Sequence, residues 1–427
     1  MKVNVEEISA VKKKVNVEIS EDEVKGETDI FYKDLGKKAK IKGFRPGKVP
    51  RSILERYFKD YAKGEITQKL IQDTYAKAFS EVSLHPVSSP VIEPGELQAG
   101  KPFQYSATID VKPDLILGGY TGLRIEAKKE EVKDEEVENR LKTLQSLHAN
   151  LRTISEERPV QNGDYVILDY EACLDGKALD EGKAIDVSVE VGAGRFIPEL
   201  EEKLLGLKPD EEKEIEVAFP ENYQYEKWAG KTISFRVKIK EIKEKILPVL
   251  DDEFAKDLGD YASLNEVRGK LKEDIAKAKE LALDRQLKDQ IVDQLLQANS
   301  FEIPEGLVEE QAKALVSEMK MRLAAQGMEI KNLGVTEEKL HEDYHPTAEK
   351  QVRTYLILEK IAEVEGIAVS DEEAEGRLRE IAEKSHQKFD MVKSYYEKNG
   401  LLPGVRAGIL SEKTLDLLLR KAEITYL

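Results

Sequence analysis

The segment Gly43-Phe44-Arg45-Pro46-Gly47-Lys48-Val49-Pro50 sets one aromatic ring and two fixed cations on a backbone that suits neither helix nor strand. Proline locks φ near −65° and lacks a backbone donor, whereas glycine enters conformations closed to other residues. Pro46-Gly47 matches the central pair of a type II turn, whose second central residue needs a positive φ. An exposed turn is therefore expected here, holding Arg45 and Lys48 outward. Between Lys33 and Lys59 stand ten lysines and arginines against two acids, Asp34 and Glu55, a local charge of +8. The 427-residue chain carries −17 overall, so the remainder amounts to −25. A basic patch on an acidic protein is a candidate surface for a polyanion, although a charge run alone is commonly a solvated helix–loop–helix surface.

Upstream of the loop, Val11 to Ile19 alternates as a strand does, and Ser20-Glu21-Asp22-Glu23 forms a capping box for a basic helix. Downstream, Ile53, Leu54, Tyr57 and Phe58 keep helical spacing, and the helical pattern runs to about Ser83. Strands are expected at Val87 to Ile92 and Phe103 to Val111, punctuated by Pro86, Pro90, Pro94 and Pro102. Residues 1–112 thus read as an α+β domain. Beyond Pro113, Val137, Leu141, Leu144 and Leu147 or Leu151 place apolar positions at helical spacing in an acidic stretch, giving a connecting linker and helix arm over 113–157.

Residues 158–243 have another texture. Alternation in Asp164 to Ala172, Ile185 to Val191, Lys213 to Phe219 and Ile233 to Ile242 gives at least four strands, with one short helix at Ile197 to Leu205. Turns fall at Asp175-Gly176, Gly192-Ala193-Gly194 and Ala229-Gly230. A small, mainly antiparallel sheet wrapped on one helix is the economical fold. Residues 244–427 are helical almost throughout. Ser263-Leu264-Asn265-Glu266 and Ser370-Asp371-Glu372-Glu373 are capping boxes, and Pro304 opens a helix that stops at Gly327. Apolar stripes such as Val267, Leu271, Ile275, Ala278 and Val308, Leu315, Met319 line such helices. The fold class expected is therefore multidomain α+β, with an elongated, all-helical C-terminal domain whose arms leave apolar surface for weak contact with many sequences. Met319, Met321 and Met328 are candidates for adaptable contacts, with packing inside the arm as the plainer reading.

With 35% charged and 40% hydrophobic residues, the composition is that of a folded, water-soluble chain. No run of about 18 apolar residues suggests a membrane span, and no apolar stretch behind a basic start suggests a signal peptide, so a cytoplasmic protein is expected. The single cysteine, Cys173, excludes an intrachain disulfide and a thiolate metal cluster, and its alternating surroundings suggest a packed thiol.

Three motifs compete for attention. His341-Glu342-Asp343-Tyr344-His345 fits H-E-x-x-H, in which two histidines share a helix face and the glutamate serves as general base of a zinc protease. Pro346 follows at once and disfavours α conformation in the residue before it, so the helix is expected to be disrupted at His345 and no metal is assigned. Gly192-Ala193-Gly194-Arg195-Phe196-Ile197 has two glycines of a dinucleotide loop but Ile197 in place of the third. The remaining histidines, His85, His148 and His386, have no neighbours suggesting a nucleophilic triad and read as surface residues.

The basic helix running into residues 43–50, followed by the Ile53, Leu54, Tyr57, Phe58 helix, resembles the ribosome-docking signature of the trigger factors, bacterial chaperones stationed at the nascent-chain exit. The order and punctuation of 158–243 resemble the FK506-binding type of peptidyl-prolyl isomerase that trigger factors carry in their middle. The resemblance covers nearly the whole chain. It implies a ribosome-binding domain over 1–112, an isomerase domain over 158–243 and a helical substrate-binding chaperone domain over 244–427. It further implies an ATP-independent chaperone without cofactor, cytoplasmic, whose partners are nascent and unfolded polypeptides and the large ribosomal subunit near the exit tunnel, both protein and rRNA. No membrane or DNA partner is implied, and a homodimer is one state open to the free protein.

By the same resemblance, docking falls on Gly43, Phe44, Arg45, Pro46, Gly47 and Lys48, and Pro46 stands where some members carry a further basic residue. The isomerase pocket falls on Tyr170, Leu179, Asp180, Phe196, Ile197, Leu200, Tyr223 or Tyr225, and Phe235. Such a pocket uses no nucleophile: an aromatic, desolvating cradle favours the twisted X–Pro amide over the planar one, against a barrier of ~18–20 kcal/mol. Leu179 replaces a usual aromatic, Leu200 a tryptophan or phenylalanine floor, and Glu199 a customary glycine, so a weakened isomerase is implied. Other readings compete. A ribosome-independent holdase or assembly chaperone keeps the helical part in use. A free-standing isomerase leaves the basic loop idle, and a zinc metalloprotease accounts for five residues.

Overall fold

The computed structural model describes every residue except 42, 43, 45, 46, 155–157, 175, 176, 222, 224–227 and 331–333, and of 178, 180 and 181 it describes the backbone alone. The first elements are β1 (Lys2–Glu7), β2 (Lys12–Ile19), α1 (Glu21–Lys38), α2 (Arg51–Tyr57), α3 (Lys59–Glu81), β3 (Val91–Pro94), β4 (Phe103–Asp110) and β5 (Arg124–Ala127). There follow α4 (Asp134–Leu147), β6 (Asn150–Thr153), β7 (Tyr165–Leu174), β8 (Lys177–Glu190), α5 (Pro198–Leu204), β9 (Glu212–Ala218), β10 (Thr232–Ile246) and α6 (Asp252–Leu258). The helices α7 (Leu264–Ala298), α8 (Glu305–Ala325), α9 (Glu337–Glu365), α10 (Asp371–Lys384), α11 (Phe389–Lys398) and α12 (Leu402–Lys421) precede β11 (Glu423–Tyr426). These elements form two units, Met1–Lys128 with Leu283–Leu427, and Lys129–Ala282; the division falls inside α7.

In the first unit, β1, β2, β4 and β3 form an antiparallel sheet in that order. Period-two alternation turns Val15, Val17 and Ile19 of β2, and Phe103, Tyr105, Ala107 and Ile109 of β4, into one core. Ala62, Ile66 and Leu70, each one turn apart, supply the covering face of α3. Each such aliphatic or aromatic side chain removed from water is worth ~1.5–3 kcal/mol. A second core of the same unit joins Leu123 and Ile125 to Ile291 and Leu295 of α7, Ile357 and Ile361 of α9, and Leu418 of α12. There β11 pairs in parallel with β5, Glu423 opposite Arg124 through Tyr426 opposite Ala127. Helices α8 and α9 pack through Val308, Ala312, Ala348, Val352 and Leu356.

In the second unit, β6, β10, β7 and β8 lie in that order, with β9 also on β10, and all pairings are antiparallel. Leu200 and Leu204 of α5 seal the core made by Val166, Leu168, Val217, Ile233, Phe235 and Val237. Nearby, Phe254 and Ala255 of α6 meet Leu141 of α4 and Val267 of α7.

The structure departs from the sequence reading in three places and decides between its alternatives in one. The strand expected from Val87 covers only Val91–Pro94, because Pro86 and Pro90 cannot donate to a ladder; Val87 keeps a single bond to the Asp110 carbonyl. The strand expected from Ile185 instead begins at Lys177. Its early half lacks alternation, and Gly182 is needed there, since a Cβ would stand 2.6 Å from that of Ala172. Of the two last positions expected for the acidic helix, Leu147 is the one it reaches, and Leu151 lies in β6. Finally, α9 runs unbroken through Pro346. The missing N–H leaves the carbonyl of Glu342 to water at an exposed face, a small loss beside the burial of Ala348, Val352 and Leu356 against α8.

Candidate functional sites

The basic loop hangs between two anchored helices. Glu23 closes the start of α1 by accepting from the Ser20 backbone N–H at 3.1 Å and the Ser20 hydroxyl at 2.7 Å. The other end of α1 stops as the Ala39 N–H returns to the Leu35 carbonyl. Ile41 and Val49 then pack on the core from either side of the loop, and Leu54 of α2 is buried in the same core. Arg51 braces α2 to α1: its guanidinium pairs with Asp29 and with Glu55 and lies 5.5 Å from the centre of the Tyr32 ring. Between these anchors Phe44 is 39% exposed, and Gly47 takes a φ of +81°, the value that the second central position of a type II turn needs. Lys48 is exposed. Gly43, Arg45 and Pro46 lie outside the described residues.

The charge around the loop divides into spent and unspent groups. Lys37 is paired with Asp34 and Arg51 with two acids. Lys33, Lys38, Lys40, Lys48, Arg56 and Lys59 are exposed, and none of them forms an ion pair among the described residues. Tyr57 and Tyr61, 67% and 56% exposed, add aromatic surface in the same region. Cations left free beside exposed rings suit contact with phosphate and with bases or apolar side chains.

The second site is an aromatic cluster on the β7–β10 sheet. Tyr170 of β7 has ring centres of Phe196 at 5.4 Å and Phe235 at 6.1 Å. Phe219 stands 4.5 Å from Tyr223, and Trp228 stands 5.7 Å from Phe235. Tyr170, Leu179, Phe196 and Tyr223 are half-buried around this cluster, whereas Ile197 is 7% exposed and Leu200 and Phe235 are wholly buried. The predicted set thus divides into a rim and an underlying layer. Asp180 is described by its backbone in β8 only, and Tyr225 lies outside the described residues. Phe219 and Trp228 were not anticipated. Their signal is positional: Pro220 and the Ala229-Gly230 turn bracket the segment that brings Trp228 back over the sheet, where the Gly230 N–H bonds the Pro220 carbonyl.

Phe196 is held by a group that sequence reasoning missed. Glu201 on α5 is 1% exposed, and its carboxylate accepts backbone N–H groups of Gly192 at 3.1 Å, Gly194 at 2.8 Å and Phe196 at 2.8 Å. The glycines are explained by the same turn. Gly192 and Gly194 have φ of +87° and +66°, and a Cβ on Gly192 would overlap Asn162. Beside Tyr170, the β7–β8 ladder shifts register, and Lys240 bridges Asp169 at 2.9 Å and Asp186 at 2.7 Å across the irregularity. Such bulges commonly re-aim side chains next to a site. At the entry to β7, Asp164 receives both arms of Arg158, at 2.6 and 2.8 Å, and the Gln161 N–H at 2.8 Å. Burial raises the Asp164 carboxyl, but the arginine and the backbone donor together hold it below the usual carboxylate range.

His85, His148 and His386 are exposed, as expected, and Cys173 is buried. Because α9 is continuous, His341 and His345 do share one face, contrary to the disruption expected at Pro346. Glu342 is exposed and pairs with Lys339 at 3.5 Å. No described helix is long and apolar enough to cross a membrane.

Comparison with known proteins bears on the whole length. The family model described as bacterial trigger factor protein matches residues 1–144, that of the trigger factor C-terminus matches 263–420, and that of FKBP-type peptidyl-prolyl cis-trans isomerases matches 156–240. Trigger factor of Geotalea uraniireducens is 38% identical over 99% of this chain and 98% of its own. That of Geotalea daltonii is 38% identical over 100% and 98%, and that of Halothermothrix orenii 37% over 98% and 98%. With both candidate sites lying within matched segments, the chain belongs to the trigger factor family, ribosome-associated chaperones that carry an FKBP-type peptidyl-prolyl isomerase domain.

Proposed function

We propose that this chain works in the cytoplasm, docks near the exit tunnel of the large ribosomal subunit through Phe44, Arg45 and Lys48, and shields emerging apolar segments without ATP. The ribosome-binding part is residues 1–112, the linker and helix arm 113–157, the isomerase part 158–243, and the chaperone part 244–427. The observation that carries the docking reading is the set of unpaired cations and exposed rings around a loop whose two ends are pinned. Phosphate and acidic protein surface supply the complementary charge, so binding weakens as salt rises. Exposed Met321 and Met328 offer adaptable contacts to clients of varied sequence.

In the isomerase part, Tyr170, Leu179, Asp180, Phe196, Ile197, Leu200, Tyr223, Tyr225 and Phe235 form the pocket, joined by Phe219 and Trp228. The rim desolvates an X–Pro amide and favours its twisted form, whose resonance is lost. With leucines at 179 and 200, turnover falls below that of a relative with the full aromatic set, and a prolyl-peptide assay giving equal rates overturns that statement. The docking test is sedimentation of ribosomes through a sucrose cushion with the wild-type chain and with Phe44→Ala, Arg45→Ala and Lys48→Ala combined, at low and moderate salt. Co-sedimentation of the wild type alone, declining with salt, supports the reading. If both or neither pellet, the loop is structural and a ribosome-independent holdase is the better account.

A further inference from the structure

Glu305 and Glu309 lie one turn apart on α8, His341 and His345 one turn apart on α9, and the two pairs meet where these helices pack. Oε1 of Glu305 is 3.1 Å from Nε2 of His345, and Oε2 of Glu309 is 3.2 Å from Nε2 of His341. One ligand atom each from Glu305, Glu309 and His345 lies within 4.8 Å of the others. Nε2 of His341 is enclosed and lacks the alignment of a hydrogen bond; among the described residues it is the one enclosed side-chain nitrogen or oxygen without a hydrogen-bond partner.

We propose that these four side chains bind a divalent transition-metal cation of the zinc class, as a clasp between α8 and α9. A tetrahedral ion with bonds of ~2.0–2.1 Å sets neighbouring ligand atoms roughly 3.3 Å apart, close to the two nitrogen–oxygen separations already present. Two imidazoles with two carboxylates suit zinc, nickel, copper or cobalt rather than magnesium or calcium, which prefer all-oxygen shells. Two carboxylates also neutralise the ion, which limits the cost of partial burial. The donors are preorganised from below, since Val308, Ala312, Ala348 and Val352 lock the facing turns. An open groove whose lining includes Lys313, Ser317, Lys320, Glu342 and His341 reaches the His341 side of the site from solvent. Four protein ligands fill the tetrahedron and leave no open position for a reacting water, so the site is structural and not hydrolytic, with Glu342 at its margin paired to Lys339.

The test uses the untagged full chain, stripped with chelator, then given zinc and freed of excess by gel filtration. Elemental analysis is expected to find one zinc per wild-type chain and per Glu342→Gln chain, with at least a tenfold loss of affinity in Glu305→Gln and in His345→Asn. These exposed or half-buried positions leave the fold intact, which far-ultraviolet circular dichroism checks. Zinc should also slow amide hydrogen exchange in 305–325 and 337–360 of the wild type, and cobalt should give a tetrahedral visible spectrum. No retained zinc, retention by both ligand variants, or exchange unaltered by zinc overturns the site.

Discussion

The aromatic cluster and the basic loop are built in opposite ways. In the pocket, the chemistry-bearing rings are seated on a sheet, Phe196 is fixed by a buried carboxylate, and Phe235 lies wholly below the surface. In the loop, Ile41 and Val49 pack at the ends, while Phe44 and Lys48 between them are exposed. The first arrangement makes site and core the same object, so damage to either is damage to both. The second separates them, so contact residues can change at little cost to folding.

This contrast is broken or sharpened by graded tests. Glu201→Ala removes the buried acceptor of three backbone donors of a part-buried turn and is expected to cost about 3 kcal/mol. Calorimetry on the full chain should show the isomerase transition falling sharply while the rest holds; a negligible shift means that the 192–196 turn holds itself. A smaller effect is expected of acid. The folded carboxyl of Asp164 sits below its unfolded value, so its contribution is intact above about pH 4 and fades as pH falls through the folded value. Asp164→Asn should destabilise this unit by about 2 kcal/mol at neutral pH and flatten its acid sensitivity; an unchanged acid midpoint removes Asp164 from the account.

The docking triple variant is expected to lose at least tenfold in ribosome affinity, about 1.4 kcal/mol, with stability within about 0.5 kcal/mol of wild type. A large fall in melting temperature would show that the loop is part of the core after all. Smallest is Arg51→Gln, at about 0.5–1 kcal/mol of stability, because its ion pairs are exposed. Its acids already occupy it, so the slope of ribosome affinity against salt should be unchanged, whereas Lys48→Ala should reduce that slope. Equal slopes for the two variants would erase the distinction between spent and unspent cations.

Local rules carried much of the fold. Alternation in β2 and β4, the Ser20 and Ser370 capping boxes, and the helix stop at Gly327 all rest on contacts within a few residues, and each is present. What stayed hidden depends on distant partners. A glutamate on a short polar helix gives no sign of burial until the glycine turn that needs its oxygens is seen folded over it. Trp228 and Phe219 join the aromatic cluster only because β9 and β10 are paired. At Pro346 a sound local rule yielded to packing between α8 and α9. The basic loop was legible in its composition, through Phe44 and its charge, but not in its mechanics: nothing in residues 43–50 announces the strut made by Arg51 with Asp29.

The parallel pairing of β5 with β11 has a consequence for the life history of the chain. Residues 129–282 are contiguous and carry cores of their own, so they can mature while synthesis continues. Leu123 and Ile125 must wait for partners made some 160 to 300 residues later, in α7, α9, α12 and β11. A protein of the family that guards unfinished chains thus itself keeps apolar surface made in its first third uncovered until the last residues of its own synthesis.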